Sequence, residues 1–335
     1  MTLTRHLLHE QPLHSSVTRE LSTILGQLAL AGKLIRRDLT VAGLIDVLGT
    51  TGDTNVQGET VQKLDQRAND TFVRAFEDHG GLVKALVSEE MEKPWEVGGG
   101  ALESRQHGNY VLFLDPLDGS SNLDANLTVG SIFSIHRLPT FDHADLRTEL
   151  LRRGTDQVAA GYMLYGPSTI LVYTAGAGVH QFTLDPGIGE FVLSASRMKM
   201  PPRGKVYSAN EGNYPRWPRG VQRFIDYLRE RDPDTGRPYS SRYSGCLVAD
   251  VHRFLNGGGG VYLYPGEANK PEGKLRLMYE GAPLAFILEQ AGGAASTGTQ
   301  RIADILPTTI HQRVPLIIGS REEVALAEEF IQNRR

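Results

Sequence analysis

Two aspartates and a polar turn follow an apolar run near the middle of the chain. The run Val111-Leu-Phe-Leu114 leads into Asp115 and Asp118, and the turn consists of Gly119, Ser120 and Ser121. The run predicts a buried strand, which we expect to stop at Pro116 because proline cannot donate to a sheet. Backbone N–H groups in such a turn can hold an anion, and the aspartates can bind divalent cations beside it. The segment therefore indicates a metal site joined to a phosphate site, with an Asp-capped surface turn as the alternative.

A second apolar run, Ala85-Leu-Val-Ser88, ends in the adjacent carboxylates Glu89 and Glu90. Ligands of α/β sheets bind beyond the carboxyl ends of the strands, so the two acidic strand ends can converge on one cluster of cations. Oxygen ligands suit hard ions such as Mg²⁺ or Mn²⁺, and no cluster of cysteine and histidine has zinc spacing. A solvated acidic loop is the alternative for this pair.

Composition and charge place the chain among ordinary globular proteins. Its 335 residues are 40% hydrophobic and 22% charged, enough for two substantial layers or domains. The net charge of −4 argues against nucleic acid or an anionic membrane as the main partner. Cys246 is the only cysteine, which excludes an intrachain disulfide. The first residues lack the apolar core of a secretion signal and no run is long enough to span a bilayer, so we expect a cytoplasmic protein.

The hydrophobic pattern predicts an α/β chain in two parts. Apolar residues at helical spacing from Thr18 toward Leu44 predict a long amphipathic helix, and a second helix is expected at about 61–79. Residues 127–192 are strand-rich, and the prolines of Lys199-Met-Pro-Pro-Arg-Gly204 mark the best boundary. Strand and helix alternate beyond it, with strands expected at 205–208, 261–264 and 314–318 and helices at 217–231, 248–255, 282–290 and 321–332. We therefore predict domains at 1–200 and 201–335.

Several further motifs occur in the same order along the chain, and together they give it an end-to-end resemblance. They are Asn55-Val-Gln-Gly-Glu59, Gln62-Lys-Leu-Asp65, Val87-Ser-Glu-Glu90, Asp115-Pro-Leu-Asp-Gly-Ser-Ser-Asn122, Asn210-Glu-Gly212, Ser241-Arg-Tyr243, Val248-Ala-Asp-Val-His-Arg253 and Lys274-Leu-Arg-Leu-Met-Tyr-Glu280. The chain resembles the class I fructose-1,6-bisphosphatases of the sugar phosphatase superfamily. The Asp-Pro-x-Asp-Gly-Ser element alone would indicate only that wider superfamily, which also includes inositol monophosphatases.

The resemblance implies a layered α-β-α-β-α fold of two stacked α/β parts, with the active site at their junction. It implies hydrolysis of the 1-phosphate of fructose 1,6-bisphosphate with Mg²⁺, or alternatively Mn²⁺. The implied metal ligands are Glu89, Asp115, the carbonyl of Leu117, Asp118 and Glu280. Without the resemblance, the local pattern indicates that Glu280 is a solvated glutamate at the start of a helix.

Asp65 and Glu90 correspond by the resemblance to the pair that orients and deprotonates the attacking water. Glu59 matches an acidic position of the same loop, where it can help to hold a further cation. The segment from about Gly49 to Asp65 is polar and glycine-bearing, which fits a lid over the substrate, with a helix connector as the alternative.

The resemblance also implies substrate-binding positions in the turn and in the second part of the chain. They are Gly119, Ser120, Ser121, Asn210, Tyr214, Arg242, Tyr243, Tyr264 and Lys274. Asn213 adds a residue before Tyr214 relative to some relatives. The arginine at the Arg242 position reaches into a neighbouring subunit in the family, so a homotetramer is expected.

The match to an AMP effector site is weaker. Thr18, Glu20, Tyr110 and Arg137 match its positions, but Arg19 stands where the family has a glycine and Asn109 where it has a lysine. We therefore expect an altered effector site rather than ordinary AMP inhibition.

Two alternatives for function stay open at the level of sequence. The same chemistry can act on sedoheptulose 1,7-bisphosphate, alone or as a secondary activity. A non-catalytic sensor of sugar phosphate or nucleotide with the same fold would instead have lost metal ligands or the water-activating pair, whereas the complete acidic set is present.

Overall fold

The computed structural model describes residues 1–14, 16–44, 49–54, 60–79, 82–97, 108–138 and 146–335. The α-helices of this part of the chain are α1 Leu3–Glu10, α2 Arg19–Thr40, α3 Lys63–Phe76, α4 Leu146–Glu149, α5 Arg219–Arg229, α6 Leu247–Asn256, α7 Ala282–Gln290 and α8 Arg321–Ile331. A turn of π-helix, Leu277–Gly281, precedes α7.

Within the described residues, the strands form two large sheets and two small pairs. They are β1 Thr50–Thr54, β2 Thr60–Gln62, β3 Val83–Ser88, β4 Trp95–Glu96, β5 Tyr110–Asp118, β6 Val129–Arg137, β7 Gln157–Tyr165, β8 Thr169–Thr174, β9 Val179–Asp185, β10 Glu190–Ala195, β11 Val206–Ala209, β12 Ser240–Ser241, β13 Val261–Tyr264, β14 Leu275–Arg276, β15 Gly293–Ser296, β16 Arg313–Val314 and β17 Leu316–Ser320.

The first sheet has the order β10-β9-β8-β7-β6-β5-β3-β4. Its neighbours are antiparallel except β3 and β5, which run parallel with Ser88 opposite Leu114. The second sheet has the order β12-β11-β13-β17-β15, and β1 with β2 and β14 with β16 form separate pairs. Parallel pairing at β3 and β5 matters for the site, because it brings the carboxyl ends of both strands to one edge of the sheet.

In the part of the chain that the structure describes, three apolar cores join the helices and sheets into five layers. One core joins α1, α2 and α3 to one face of the first sheet, and it includes Leu28, Phe72 and Leu112. A second core joins the other face, through Phe113, to α6, α7 and the second sheet. The third core packs α5 and α8 on the outer face of the second sheet. Helix and sheet thus alternate as α-β-α-β-α, which confirms the predicted fold class.

Local sequence explains where α2 begins and which face it buries. Thr18 caps the helix, since its side-chain oxygen accepts the backbone N–H of Leu21 at 3.1 Å. Leu21, Ile24, Leu25 and Leu28 share one buried face, as their spacing predicts. The helix ends at Thr40, and a short 3-10 turn at Ala42–Leu44 completes the predicted segment.

Some elements differ from the sequence-based expectations. Pro116 does not end its strand: β5 continues to Asp118 past an irregularity in its pairing with β6, and such a bulge tolerates a residue that cannot donate. Neither α1 nor β10 was expected from the hydrophobic pattern. The predicted helix at 61–79 starts two residues later because residues 60–62 pair with β1. Within the described ranges, no helix combines the length and apolar character needed to cross a membrane.

The buried histidines of α1 and β9 predict an acid-sensitive contact. The rings of His6 and His180 lie 4.5 Å apart between centroids, beside Phe182. Burial lowers the pKa of both histidines. The pKa of His180 falls to about 4, because burial and the charge of His6 both lower it, while the charge of Glu10 opposes the lowering. An unfolded histidine titrates at about 6.5, so this contact stabilises the fold above that pH and loses its contribution as pH falls toward about 4.

We therefore expect His180→Asn to reduce the acid sensitivity of folding. Between about pH 7.5 and pH 5 the free energy of unfolding should fall by about 1–2 kcal/mol less in the variant than in the parent protein. Urea unfolding at both pH values measures this difference, with His9→Asn, an exposed position on α1, as the matched control. Equal pH dependence in His180→Asn and the parent would contradict the expectation.

Candidate active site

The two acidic strand ends lie side by side, as the sequence predicts. Because β3 and β5 are parallel neighbours, Glu89 follows β3 where its backbone N–H donates to the carbonyl of Leu114 at 3.0 Å. Asp115 and Asp118 lie at the end of β5, on either side of the irregularity that contains Pro116 and Leu117. The bulge redirects the backbone between the two aspartates, which lets both carboxylates contribute to one site.

Three carboxylates meet at this edge. Asp115, Asp118 and Glu280 each place an oxygen within 4.8 Å of the others, and all three side chains are buried. Glu280 comes from the π-helix before α7, where the backbone N–H of Arg276 donates to its carboxylate. The burial of Glu280 excludes the alternative that it is a solvated glutamate at the start of a helix. A π-turn adds a residue to the helical turn, and such turns often occur at functional sites.

The electrostatics of this carboxylate cluster favour a bound cation. Burial raises the pKa of Asp115, and the charges of Glu89, Asp118, Glu280 and Glu90 raise it further. Burial also raises the pKa values of Asp118 and Glu280, the latter with a contribution from Glu89. Like charges that are desolvated together need either protons or a cation. Because all the candidate metal-ligand atoms are carboxylate oxygens, the residues fit a hard divalent ion such as Mg²⁺ or Mn²⁺.

The second half of the chain holds Asp118 from the side. Oδ2 of Asp118 accepts the backbone N–H of Val248 at 2.7 Å and the thiol of Cys246 at 3.0 Å. Val248 lies in the first turn of α6, where free N–H groups favour a carboxylate. Burial raises the pKa of the Cys246 thiol, so the sulfur is a proton donor at neutral pH.

The polar turn after Asp118 requires a glycine. Gly119 has φ 76°, and a Cβ on it would come within 2.7 Å of the Cβ of Cys246. Ser120 and Ser121 follow in a short 3-10 turn, with Ser121 exposed. Asn122 ties the turn to the second half, because its amide donates to the carbonyls of Thr128 and Ser244.

Of the two predicted water-activating residues, Glu90 is linked to this cluster, whereas Asp65 lies on a different element, α3. Glu90 follows Glu89, with its backbone N–H on the hydroxyl of Ser88 at 3.3 Å, and its charge reaches Asp115. Asp65 is buried in the first turn of α3, where its carboxylate accepts the backbone N–H of Gln62 at 3.3 Å. Glu59 lies outside the described residues, as do residues 55–58 of the predicted lid, whereas residues 49–54 and 60–65 are described.

A basic cavity of 240 Å³ lies on the second half of the chain. It is lined by Tyr264 and Lys274 together with cations that the sequence analysis did not single out: Arg216, Lys270 and Arg313. Asn210 hydrogen-bonds to the phenol of Tyr243, whose pKa burial and the neighbouring Tyr264 raise to about 12, so this phenol is a neutral donor at physiological pH. The cavity has the charge and the size for a phosphate group.

Four predicted substrate residues of the second half are not among those that line this cavity: Asn210, Tyr214, Arg242 and Tyr243. Tyr214 does not line the cavity; its hydroxyl donates to Asp226 of α5 at 2.8 Å, and its ring contacts Trp217. Arg242 is exposed, and its guanidinium donates to the carbonyl of Ser241 at 2.7 Å. An exposed arginine of this kind can extend away from its own chain.

The four residues of the predicted altered effector site lie together where α2 begins. The hydroxyls of Thr18 and Tyr110 are 3.1 Å apart, and Tyr110 pairs with Arg137 across β5 and β6. The pKa of Glu20 is lowered by its own backbone N–H, by the side chain of Thr18 and by the charge of Arg137.

Other groups at the site gave little signal in the sequence. Arg276 is buried with its Nε 3.5 Å from a carboxylate oxygen of Glu89, inside a segment that reads as apolar. Cys246 is distant from Asp118 in the chain and follows no acidic motif. Two larger grooves, of 600 and 770 Å³, run along α2, and the candidate site residues that the structure describes do not line them.

Comparisons with known proteins agree along the whole chain. A family model described as "Fructose-1-6-bisphosphatase, N-terminal domain" matches residues 1–196, and one for the C-terminal domain matches residues 200–332. A class 1 fructose-1,6-bisphosphatase of Synechococcus sp. is 55% identical, covering 97% of this chain and 95% of its own. One of Trichormus variabilis is 51% identical, covering 99% of this chain and 92% of its own. The holo crystal structure of Leishmania major fructose-1,6-bisphosphatase has TM-score 0.91 and 40% identity, covering 100% of this chain and 99% of that one.

The contact between Gly119 and Cys246 predicts a specific effect of Gly119→Ala. Alanine at a left-handed position costs about 1–2 kcal/mol, and here its methyl also displaces the turn from Cys246. We expect a lower thermal unfolding midpoint together with at least about tenfold weaker Mn²⁺ binding, measured by the paramagnetic resonance of free Mn²⁺.

Gly189→Ala is the matched control for this substitution. Gly189 also has a positive φ, of 69°, but a Cβ added there would meet open space rather than another residue. It should lose stability through backbone strain alone and bind Mn²⁺ as the parent does. Unchanged Mn²⁺ binding in Gly119→Ala would show that the turn does not depend on this close approach.

Proposed function

The chain belongs to the class 1 fructose-1,6-bisphosphatase family, and we propose that it hydrolyses the 1-phosphate of fructose 1,6-bisphosphate to give fructose 6-phosphate and inorganic phosphate. The observation that carries this proposal is the buried group of Asp115, Asp118 and Glu280 beside the Gly119 turn. A purely structural acidic turn would be solvated, whereas this one is desolvated and joined by a carboxylate from the other half of the chain.

Different residues at the site have different roles in the proposed phosphate hydrolysis. We propose that Glu89, Asp115, Asp118, Glu280 and the carbonyl of Leu117 hold Mg²⁺, for which Mn²⁺ can substitute. Divalent cations bound there supply charge neutralisation for the phosphate and a water of lowered pKa. Backbone N–H groups of Gly119, Ser120 and Ser121 hold the 1-phosphate. Asp65 and Glu90 orient the attacking water and accept its proton, a step that needs carboxylates rather than carboxylic acids.

The second phosphate of the substrate is proposed to bind in the basic cavity. Lys274 supplies charge, while Tyr264, Tyr243 and Asn210 supply neutral donors to phosphate and sugar. The hydroxyl of Tyr214 donates to Asp226, and this hydrogen bond must break before Tyr214 can contact the substrate. The two phosphates of one substrate thus engage different halves of the chain, residues 1–200 and 201–335 in the proposed division.

Assembly and location are further parts of the proposal. The exposed position of Arg242 allows this side chain to reach a neighbouring subunit's site, as in the proposed homotetramer. Sedimentation velocity tests the assembly, and any species smaller than a tetramer would contradict it. The grouping of Thr18, Glu20, Tyr110 and Arg137 supports an altered anion effector site. We place the enzyme in the cytoplasm, in carbohydrate metabolism such as gluconeogenesis.

Phosphate release from fructose 1,6-bisphosphate with Mg²⁺ and with a chelator tests the proposed reaction. We expect metal-dependent release, and Glu280→Gln should lower kcat by about 100-fold or more because it removes a buried ligand charge. Glu272→Gln, an exposed carboxylate nearby, is the matched control and should retain activity. Comparable release from sedoheptulose 1,7-bisphosphate would make the enzyme a dual bisphosphatase. No release from either substrate by folded protein would favour the non-catalytic sensor.

Lys274→Ala tests the assignment of the distal phosphate. We expect KM for fructose 1,6-bisphosphate to rise by about tenfold or more, since a charge-assisted contact is lost. The KM for fructose 1-phosphate, which lacks the distal phosphate, should stay within about twofold. Equal increases for both substrates would show that Lys274 acts on the fold or on the metal cluster rather than on the second phosphate.

A further inference from the structure

The carboxylate of Asp118 is bound on one of its two oxygens by groups that lie far along the chain. Both the Cys246 thiol and the Val248 N–H donate to Oδ2, at 3.0 and 2.7 Å. Two donors on one oxygen fix the plane of a carboxylate, because rotation about its bond to Cβ would break both hydrogen bonds. Oδ1 takes no part in these two hydrogen bonds, so it is the oxygen that they leave for a cation.

The surroundings of Cys246 make its thiol a dedicated donor. The residue is 1% exposed and belongs to the apolar core between the two sheets, next to Leu247 and Val248. Its thiol donates to Asp118. The hydroxyl of Ser244 accepts the backbone N–H of Cys246 and donates to its carbonyl. Its Cβ also lies against Gly119, so the thiol is fixed by packing as well as by its hydrogen bond.

We propose that Cys246 is a positioning residue that holds Asp118 in the orientation needed to bind the divalent cation. The inference rests on the proposed role of Asp118 as a metal ligand. Groups that orient metal ligands typically contribute about 10–100-fold to metal affinity, and a thiol is at the weak end of the donors. We therefore expect an effect of about tenfold.

Substitutions of roughly similar size separate the hydrogen bond of Cys246 from its packing. Cys246→Val fills the space but cannot donate, and Mn²⁺ should bind about tenfold more weakly, measured without substrate by the paramagnetic resonance of free Mn²⁺. Cys246→Ser retains a donor and should bind Mn²⁺ within about threefold of the parent. Val251→Ala, which perturbs the same core from the next turn of α6, should lower the thermal midpoint but not the affinity for Mn²⁺.

The thiol also gives a direct spectroscopic signature. Because Cys246 is the only cysteine, the protein has a single S–H stretching band in the infrared. A hydrogen bond to a carboxylate should shift this band to lower frequency than that of the same chain unfolded in urea. Adding Mg²⁺ should move it again, since a cation on Oδ1 withdraws charge from Oδ2. The Asp118→Asn variant should change the position of the band and abolish its response to Mg²⁺.

The two readouts together decide the proposal. It is overturned if Cys246→Val binds Mn²⁺ like the parent, or if Cys246→Ser is as impaired as Cys246→Val while the thermal midpoints match. An S–H band that ignores Mg²⁺ would equally overturn it. Neither measurement involves a sugar phosphate, so a failure of the proposed phosphatase reaction would leave this result intact and be recognised separately.

Discussion

Mutual repulsion among buried carboxylates is the constraint on which the rest of this structure depends. Two unit charges 4 Å apart repel by about 4 kcal/mol at an effective dielectric constant of about 20, and a whole domain is stable by only about 5–15 kcal/mol. The chain meets this cost with a parallel strand pair, a bulge at Pro116 and a π-turn at Glu280, which fix the carboxylates in place. The buried carboxylates therefore need a compensating positive charge, which a hard cation supplies.

Much of this arrangement could be predicted from the sequence because it depends on local patterns. Apolar runs that end in Glu89 and Asp115 predict strands with acidic ends, and the rule for ligands at strand ends brings them together. The helical spacing of Leu21, Ile24 and Leu28 predicts both α2 and its buried face. The layered fold followed from the resemblance rather than from any single pattern, since five layers require contacts between distant segments.

What the sequence did not predict depends on such distant contacts or on exceptions to local rules. The donation from Cys246 to Asp118 joins residues separated by 128 positions, and no periodicity encodes it. Pro116 ends a strand by its local preference, but the bulge removes the need for its missing N–H. Tyr214 has a residue type that suits phosphate binding, and only the position of Asp226 on α5 shows where its hydroxyl is engaged.

The separation of Asp118 from Val248 also sets an order of events during synthesis. These residues are 130 positions apart, and ribosomes add about 5–20 residues per second. For roughly ten seconds the nascent first half therefore exists before the groups that complete its acidic turn have emerged. In that interval Asp118 and its neighbours can only form a hydrated surface turn. Arrival of α6 and the π-turn converts that surface into an interior, so a chain interrupted after its first half would display the aspartates without enclosing them.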